Sequence, residues 1–344
     1  MLTSTRWLPL VAALVIGSWS PRPATAQQDR IYPSTGDPIN GAVDMVSKDG
    51  ITIKTRANTE AISVDKIDKV MLDGDPSALT RGREFVLDGQ FQQALEELKK
   101  VDTEDIRRQL IKTDAEFYRA LAQARLALTG GADRTQAAKE MLEFYKAHGD
   151  SWHFAEAAET LGDLARAMGN FKAARTFYGA MGNVRATPIR IESVYLTALT
   201  QLREGEWQEA LEAFDKIIGV QGDSTAILRL QQLAQAGRVA ALGSLGKTAE
   251  AIEESGTLIQ QLDTTDTELT ARLYNARGQT FEQASQPEDA SIAYLHTTLL
   301  CSAIPDAHAE ALSRLIPIWN ALGRPERANA ARQELQQRYP GWGG

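Results

Sequence analysis

One string of small, aromatic and apolar residues returns along this chain with its internal spacing intact, and no other feature restricts the possible folds so strongly. It reads Gly82, Phe85, Gly89, Phe91, Ala94, Leu98, then Gly162, Ala165, Gly169, Phe171, Ala174, Tyr178. A third copy is Ala198, Gln201, Gly205, Trp207, Ala210, Phe214; a fourth, more worn, is Gly278, Phe281, Ser285, Pro287, Ala290, Tyr294. Each time, twelve residues separate the first small residue from the alanine, and four more reach the last apolar one. Weaker copies centre on Gly246 with Ala251 and on Gly323 with Ala328. Another, stretched by an insertion at Gly130-Gly131-Ala132, centres on Ala138. The alanines at 94, 138, 174, 210, 251, 290 and 328 are spaced 44, 36, 36, 41, 39 and 38 residues apart. Self-similarity at such a period means stacked units that bury their cores against one another.

The spacing specifies a helical hairpin. A small first residue lets two antiparallel helices approach closely. The middle glycine falls just past a helix end, where a positive φ costs it nothing. The aromatic residue two positions on plugs the turn. The alanine and the residue four beyond it then share one face of the second helix.

Before residue 75 the periodicity changes from helical to alternating. Ile39 to Val46 is β-leaning, Asp49-Gly50 is a hairpin turn, and Ile51-Thr52-Ile53-Lys54-Thr55 alternates apolar with polar. A turn at Ala57-Asn58, the run Ala61 to Val64, and Ile67, Val70 and Leu72 complete four or five strands. Residues 27–74 therefore predict a small, strongly bent β-barrel-like unit that leans on its neighbour. Asp73 and Asp75 form a polar turn, since no further ligands follow at calcium-loop spacing.

Residues 1–26 read as a cleaved signal peptide, with Arg6, an apolar stretch from Trp7 to Trp19, and a small-residue cleavage site at Ala24-Thr25-Ala26. Cleavage before Gln27 removes Arg6 and Arg22 and takes the formal charge from −8 to −10. No later run is apolar enough to span a membrane. The expected product is extracytoplasmic, periplasmic or secreted, and its acidic balance argues against nucleic acid as a partner.

The helical string resembles the tetratricopeptide repeat (TPR). Leu161-Gly162, Gly169-Asn170-Phe171 and Ala173-Ala174-Arg175-Thr176-Phe177-Tyr178 carry the likeness most clearly, followed by Gly205-Glu206-Trp207-Gln208-Glu209-Ala210 and Gly89-Gln90-Phe91-Gln92-Gln93-Ala94-Leu95. The resemblance spans about residues 75–342, although the spacing exceeds the family's usual ~34 residues. It implies a mainly α architecture: a right-handed α-solenoid of about seven TPR-like hairpins, forming a domain over 75–344. Its concave face, lined by the first helix of each pair, would bind peptides or other proteins. On those helices the residues one past the small position, or three before it, are expected to point into the groove. They are Arg83 and Leu79, Asp163 and Glu159, Leu199 and Tyr195, and Gln279 and Asn275, with Arg166, Arg203 and Glu282 one turn further. Their mixed signs predict a polar, selective groove. The family's clamp for C-terminal carboxylates, a basic and asparagine pairing at matched places in adjacent repeats, is not found.

Candidates for chemistry are few. Ala241-Leu242-Gly243-Ser244-Leu245-Gly246-Lys247-Thr248 satisfies a relaxed phosphate-loop pattern. Helix-forming residues precede it, however, where a buried strand is required, and Gly246 falls at the repeat's own capping position. His148 and His153 flank a turn, while His296 and His308 are separated by Pro305. Cys301, the single cysteine, reads as a small buried residue. One cysteine and four histidines leave no disulfide framework and no zinc knuckle. The expectation is a non-enzymatic exported scaffold or adaptor with a protein or peptide partner, needing neither cofactor nor metal. The competing reading makes the β-unit the working module for a small ligand or cell-wall glycan, with the solenoid as spacer or dimerisation surface. At the C-terminus, Tyr339-Pro340-Gly341-Trp342 either caps the solenoid or offers an aromatic tail.

Overall fold

The structure, a computed structural model, describes residues 28–340 apart from Thr264, together with Trp342. The signal-peptide reading of residues 1–26 lies outside them. Fourteen described helices form seven antiparallel pairs. They are α1 (Ser77–Leu87) with α2 (Phe91–Leu98), α3 (Gln109–Leu128) with α4 (Arg134–Ala147), α5 (Phe154–Ala167) with α6 (Phe171–Met181), and α7 (Thr187–Glu204) with α8 (Trp207–Ile218). The remaining three are α9 (Thr225–Ser244) with α10 (Thr248–Gln260), α11 (Thr267–Gln283) with α12 (Pro287–Leu300), and α13 (Pro305–Ala321) with α14 (Pro325–Arg338).

The repeat string produces these pairs as its spacing dictates. The turn residue Gly205 sits in the left-handed region at φ 82°, and Ser285, which holds the same place in the sixth pair, does so at 57°. A Cβ on Gly162 would lie 2.3 Å from Tyr178 Cε1, and one on Gly82 would lie 2.5 Å from Leu98 Cγ, so only hydrogen fits between those helices. Ala94, Ala174, Ala210, Ala251, Ala290 and Ala328 are all fully buried. The stretched second unit shifts the register by one. Ala137 is the fully buried alanine and Ala138 is half-buried, because the insertion lies wholly in the turn and Asp133 caps α4 by accepting from the Gln136 amide.

The N-terminal strands are β1 (Asp29–Pro33), β2 (Ile39–Ser47), β3 (Gly50–Lys54), β4 (Thr59–Ser63) and β5 (Ile67–Met71), antiparallel in the order β4-β3-β2-β1-β5. Register shifts between Val43 and Met45 and between Tyr32 and Pro33 bend the sheet, but β4 and β5 remain its edges. The barrel-like unit is thus a bent, unclosed sheet. One face presents Ile31, Ile51, Ile53, Ile62 and Val70 to Leu79, Val86, Ile111 and Phe117 of α1 and α3, forming one core. Burying each such side chain is worth about 1.5–3 kcal/mol, which is why a unit too small to stand alone folds here. The buried Asp29 carboxylate stitches this corner. It accepts from the Val43 amide at 2.7 Å and the Asp73 amide at 2.8 Å, and from Arg108 Nη2 at 2.7 Å. The Asp75 carboxylate accepts from the Leu72 amide at 3.0 Å, giving the polar turn expected there. No described helix is long and apolar enough to cross a membrane.

Candidate binding channel

The inner faces of the hairpins enclose a cavity of about 1060 Å³. Its lining runs obliquely. On α3 it uses the last turn, with Arg125 and Leu128; on α5 it uses Glu159, Asp163 and Arg166; on α7 it uses most of the helix, from Pro188 to Arg203. From α9 onward the lining moves to the first turns, with Arg229 and Leu230, then Glu268 and Arg272 of α11, and finally Pro305 and Asp306 of α13. The superhelical twist rotates each first helix relative to the last, so no single repeat position faces the cavity throughout.

Ion pairs close the channel across its width. Arg166 of α5 lies 4.0 Å from Asp306 of α13, and Arg203 of α7 lies 3.4 Å from Glu310 of α13. The C-terminal aromatics cap one end. Tyr339 and Trp342 line the cavity, the Tyr339 hydroxyl hydrogen-bonds His308 Nδ1 at 2.9 Å, and Pro340 covers Gly130, where a Cβ would meet its Cγ at 2.8 Å. Of the two roles open to that tail, capping is the one it adopts.

Among the described residues the lining holds six arginines and six carboxylates, and their pairing is unequal. Arg125 and Arg166 approach Asp163 at 3.4 and 3.5 Å, and Asp163 also accepts from the Tyr178 hydroxyl at 2.8 Å. Arg229 pairs with Asp266 and, at 2.8 Å, with Glu268. Arg272 meets Asp306 at 2.7 Å, and Arg134 donates to the Ala127 and Ala167 carbonyls. Burial pushes the Asp306 carboxyl up, but Arg272 and Arg166 outweigh it and hold the group below the usual carboxylate range. Every channel arginine therefore has an internal partner.

Glu159 and Glu192 have no hydrogen bond or ion pair among the described residues, the charge of Arg125 acting on Glu159 from a distance. Burial, then the neighbouring Glu192 and Asp163 charges, outweigh the Arg125 charge and raise the Glu159 carboxyl well above its ordinary value. Burial, with Asp163, Glu268 and Glu156, pushes Glu192 to about 7. Tyr195, one turn on from Glu192, is 4% exposed and lines the channel, yet its hydroxyl has no hydrogen-bond partner among the described residues. Burial raises that phenol to about 12, among the charges of Arg272, Glu268, Asp306 and Arg166.

Of the groove residues expected from sequence, Glu159, Asp163, Arg166, Tyr195, Leu199 and Arg203 come together in this lining. Five others do not. Arg83 is fully buried, donating to Asp75 at 2.9 Å and Asp114 at 3.1 Å, and Leu79 is equally buried, because the sheet covers the inner side of α1. Asn275 donates to the Ala307 carbonyl at 2.9 Å and Gln279 to Ser244 at 2.9 Å, which places both in helix–helix seams of α11. Glu282 accepts from the Tyr294 hydroxyl. Sequence reasoning missed Glu192, Arg229, Arg272 and Asp306. A signal for two of them was present, since Glu192 and Arg272 each stand six residues before the small residue of their repeat, Ala198 and Gly278.

The other chemical candidates have structural places. The phosphate-loop-like stretch joins two helices, α9 and α10, with Gly243 pressed against Thr280. His148 ends α4 and His153 opens α5. His153 pairs with Asp114 at 3.0 Å and stacks on Phe117. Cys301 is fully buried, and burial pushes its thiol up. Among the described residues no group of three or more His, Cys, Asp or Glu side chains is placed to hold a metal. A smaller cavity of about 260 Å³ lies where Val46, Ile51 and Val70 of the sheet meet Leu110 and Trp152.

No family model matches the chain, and no curated protein matches it. Solved structures do. A tetratricopeptide repeat protein from Parabacteroides merdae matches at TM-score 0.55 and 17% identity, over 76% of this chain and 91% of that one. The solenoid is TPR-like. The apo form of the quorum sensor NprR from B. thuringiensis shares the fold at TM-score 0.51 and 13% identity, over 76% of this chain and 86% of its own. A Rap protein complexed with Competence and Sporulation Factor gives 0.50 and 12%, over 77% and 76%. Identities this low make the likeness one of fold. The TPR-like solenoid of this chain is preceded by its own five-stranded sheet.

Proposed function

We propose that this protein is a non-enzymatic scaffold that holds an extended peptide segment of a partner inside the channel of its TPR-like solenoid. The channel itself carries the reading: about 1060 Å³ of mixed polar and apolar lining, closed across its width by the α5–α13 and α7–α13 ion pairs. That volume admits a stretch of chain and excludes a folded domain, whose radius alone is about 13 Å at 100 residues. The fold neighbours support it, one being a quorum sensor and another a Rap protein in complex with a factor. The hydroxyls along the channel belong to Thr129, Tyr195 and Tyr339; Thr129 donates to a backbone carbonyl, Tyr195 has no partner among the described residues, and the Tyr339–His308 pair belongs to the C-terminal cap.

The test is an array of peptides tiled from exported proteins, probed with the full chain and with Leu199→Trp, which fills the mid-channel without touching the ion pairs. Peptides retained by the parent and lost by the variant support the channel. Equal retention by a folded variant overturns it. Action outside the cytoplasm is part of the same proposal and rests on the leader-like composition of residues 1–26. The N-terminal sequence of the mature protein should begin at Gln27, and a protein still starting at Met1 contradicts export by cleavage.

A further inference from the structure

Within the channel, the charge pairing is lopsided in a way that selects a ligand. Each arginine already lies beside a carboxylate or donates to a carbonyl, so an acidic peptide would meet cations whose charge is largely compensated within the fold. Two carboxylates, Glu159 and Glu192, have no hydrogen bond or ion pair among the described residues, and beside them Tyr195 is 4% exposed and lines the cavity without a hydrogen-bond partner. The Tyr195 hydroxyl therefore offers a ligand a polar group that no other described side chain already satisfies. Glu159 and Tyr195 occupy the same repeat position on α5 and α7, three before Gly162 and Ala198, and Glu192 lies one turn before Tyr195. The three therefore face one stretch of the cavity. Lining continues to both sides of them, towards Arg125 on α3 and towards Arg229 on α9. An extended segment laid along this lining brings side chains to its middle stretch, so a side chain supplies the cation.

We propose that the channel seats an arginine or lysine side chain of an extended peptide between Glu159 and Glu192, with the Tyr195 hydroxyl bonded to the peptide backbone beside it. This rests on the peptide-channel reading above and adds the chemistry of the occupant.

The experiment uses the full chain and three pools of acetylated, amidated heptapeptides. Outer positions are drawn from Ala, Ser, Leu and Thr, and the central residue is arginine, its uncharged isostere citrulline, or glutamate. Binding is measured by competition against a fluorescein-labelled member of the arginine pool. The arginine pool should bind at least about tenfold more tightly than the citrulline pool, as expected for a charge-assisted pair. Glu159→Gln with Glu192→Gln should erase that preference while leaving far-UV dichroism unchanged and the melt cooperative, and Glu192→Gln alone should reduce it. Tyr195→Phe should weaken the arginine and citrulline pools alike, by about threefold or more. If no pool binds the parent, the channel reading itself falls. If citrulline or glutamate pools bind as well as arginine, the channel stands and the basic-side-chain assignment is wrong. A folded double variant that keeps the arginine preference overturns the role of the two carboxylates.

Discussion

Arg83 on α1 and Asp163 on α5 hold the same place in their repeats, one residue past the small glycine at Gly82 and Gly162. Their surroundings are opposite. The five-stranded sheet lies on the inner side of α1, so Arg83 is sealed in a buried network with Asp75 and Asp114, and Asp114 in turn holds His153. Nothing in the described structure covers the inner side of α5, so Asp163 borders open volume and anchors Arg125, Arg166 and Tyr178 at its edge. The lesson is that a repeat sets the direction of a side chain, whereas the material stacked on that face sets its role.

The sharpest way to break this comparison is to remove one charge at each place. Arg83→Met leaves two buried carboxylates without a cation and should cost about 3–5 kcal/mol. Asp163→Asn, at the channel edge, should cost about 1 kcal/mol. Urea unfolding measures both, and similar losses would mean that α1 and α5 are covered alike.

The close approach of the two helices of the third hairpin comes next. Gly162→Ala puts a methyl 2.3 Å from Tyr178 Cε1 and should destabilise by about 1–3 kcal/mol. The cap variant Gly169→Ala meets no neighbouring atom, and its cost should be close to the ~1 kcal/mol of a strained φ. A thermal melt ranks the two.

Titration probes the open region alone. The charges facing Glu192 are Glu156, Glu159 and Asp163 from α5 and Glu268 from α11. Its carboxyl is raised in the fold to about 7 from an ordinary 4.5. The folded state therefore holds this proton more tightly than the unfolded chain. The resulting stabilisation is fully present below about pH 4.5 and is lost as the pH rises through about 7. Glu192→Gln should remove that slope and make the protein more stable than its parent at pH 8, by on the order of 3 kcal/mol. Parallel pH curves for the two proteins would refute the assignment. The smallest effect belongs to Ser285→Gly, which relieves a serine at φ 57° and should raise stability by about 0.5–1 kcal/mol in the same melts.

The hairpins were legible because their determinants are local. A capping glycine, a plugging aromatic and a facing alanine act within one unit, so the seven pairs and their turns follow from spacing. The β-hairpin at Asp49-Gly50 was legible for the same reason. What spacing did not contain was anything long-range. The shift from Ala138 to Ala137 depends on which side of a turn absorbs the insertion. Whether the sheet closes depends on whether β4 meets β5; β5 crosses the whole unit to pair with β1, and β4 and β5 stay apart as its edges. The groove was readable on α5 and α7, where lining and repeat position coincide. It was misread on α1, where the sheet intervenes, and on α11, where the oblique lining has moved to Glu268 and Arg272 and leaves Asn275 and Gln279 in helix seams.

Pro340 resting on Gly130, with Arg166 and Arg203 tied across to α13, also has a mechanical meaning. An open solenoid is a coil spring whose turns part gradually under load, because each unit touches only its neighbours. Here the last coil is hooked back onto earlier ones, so tension applied at the two ends falls first on the clasp. Extension should begin stiff, yield in one step as the hook releases, and soften afterwards.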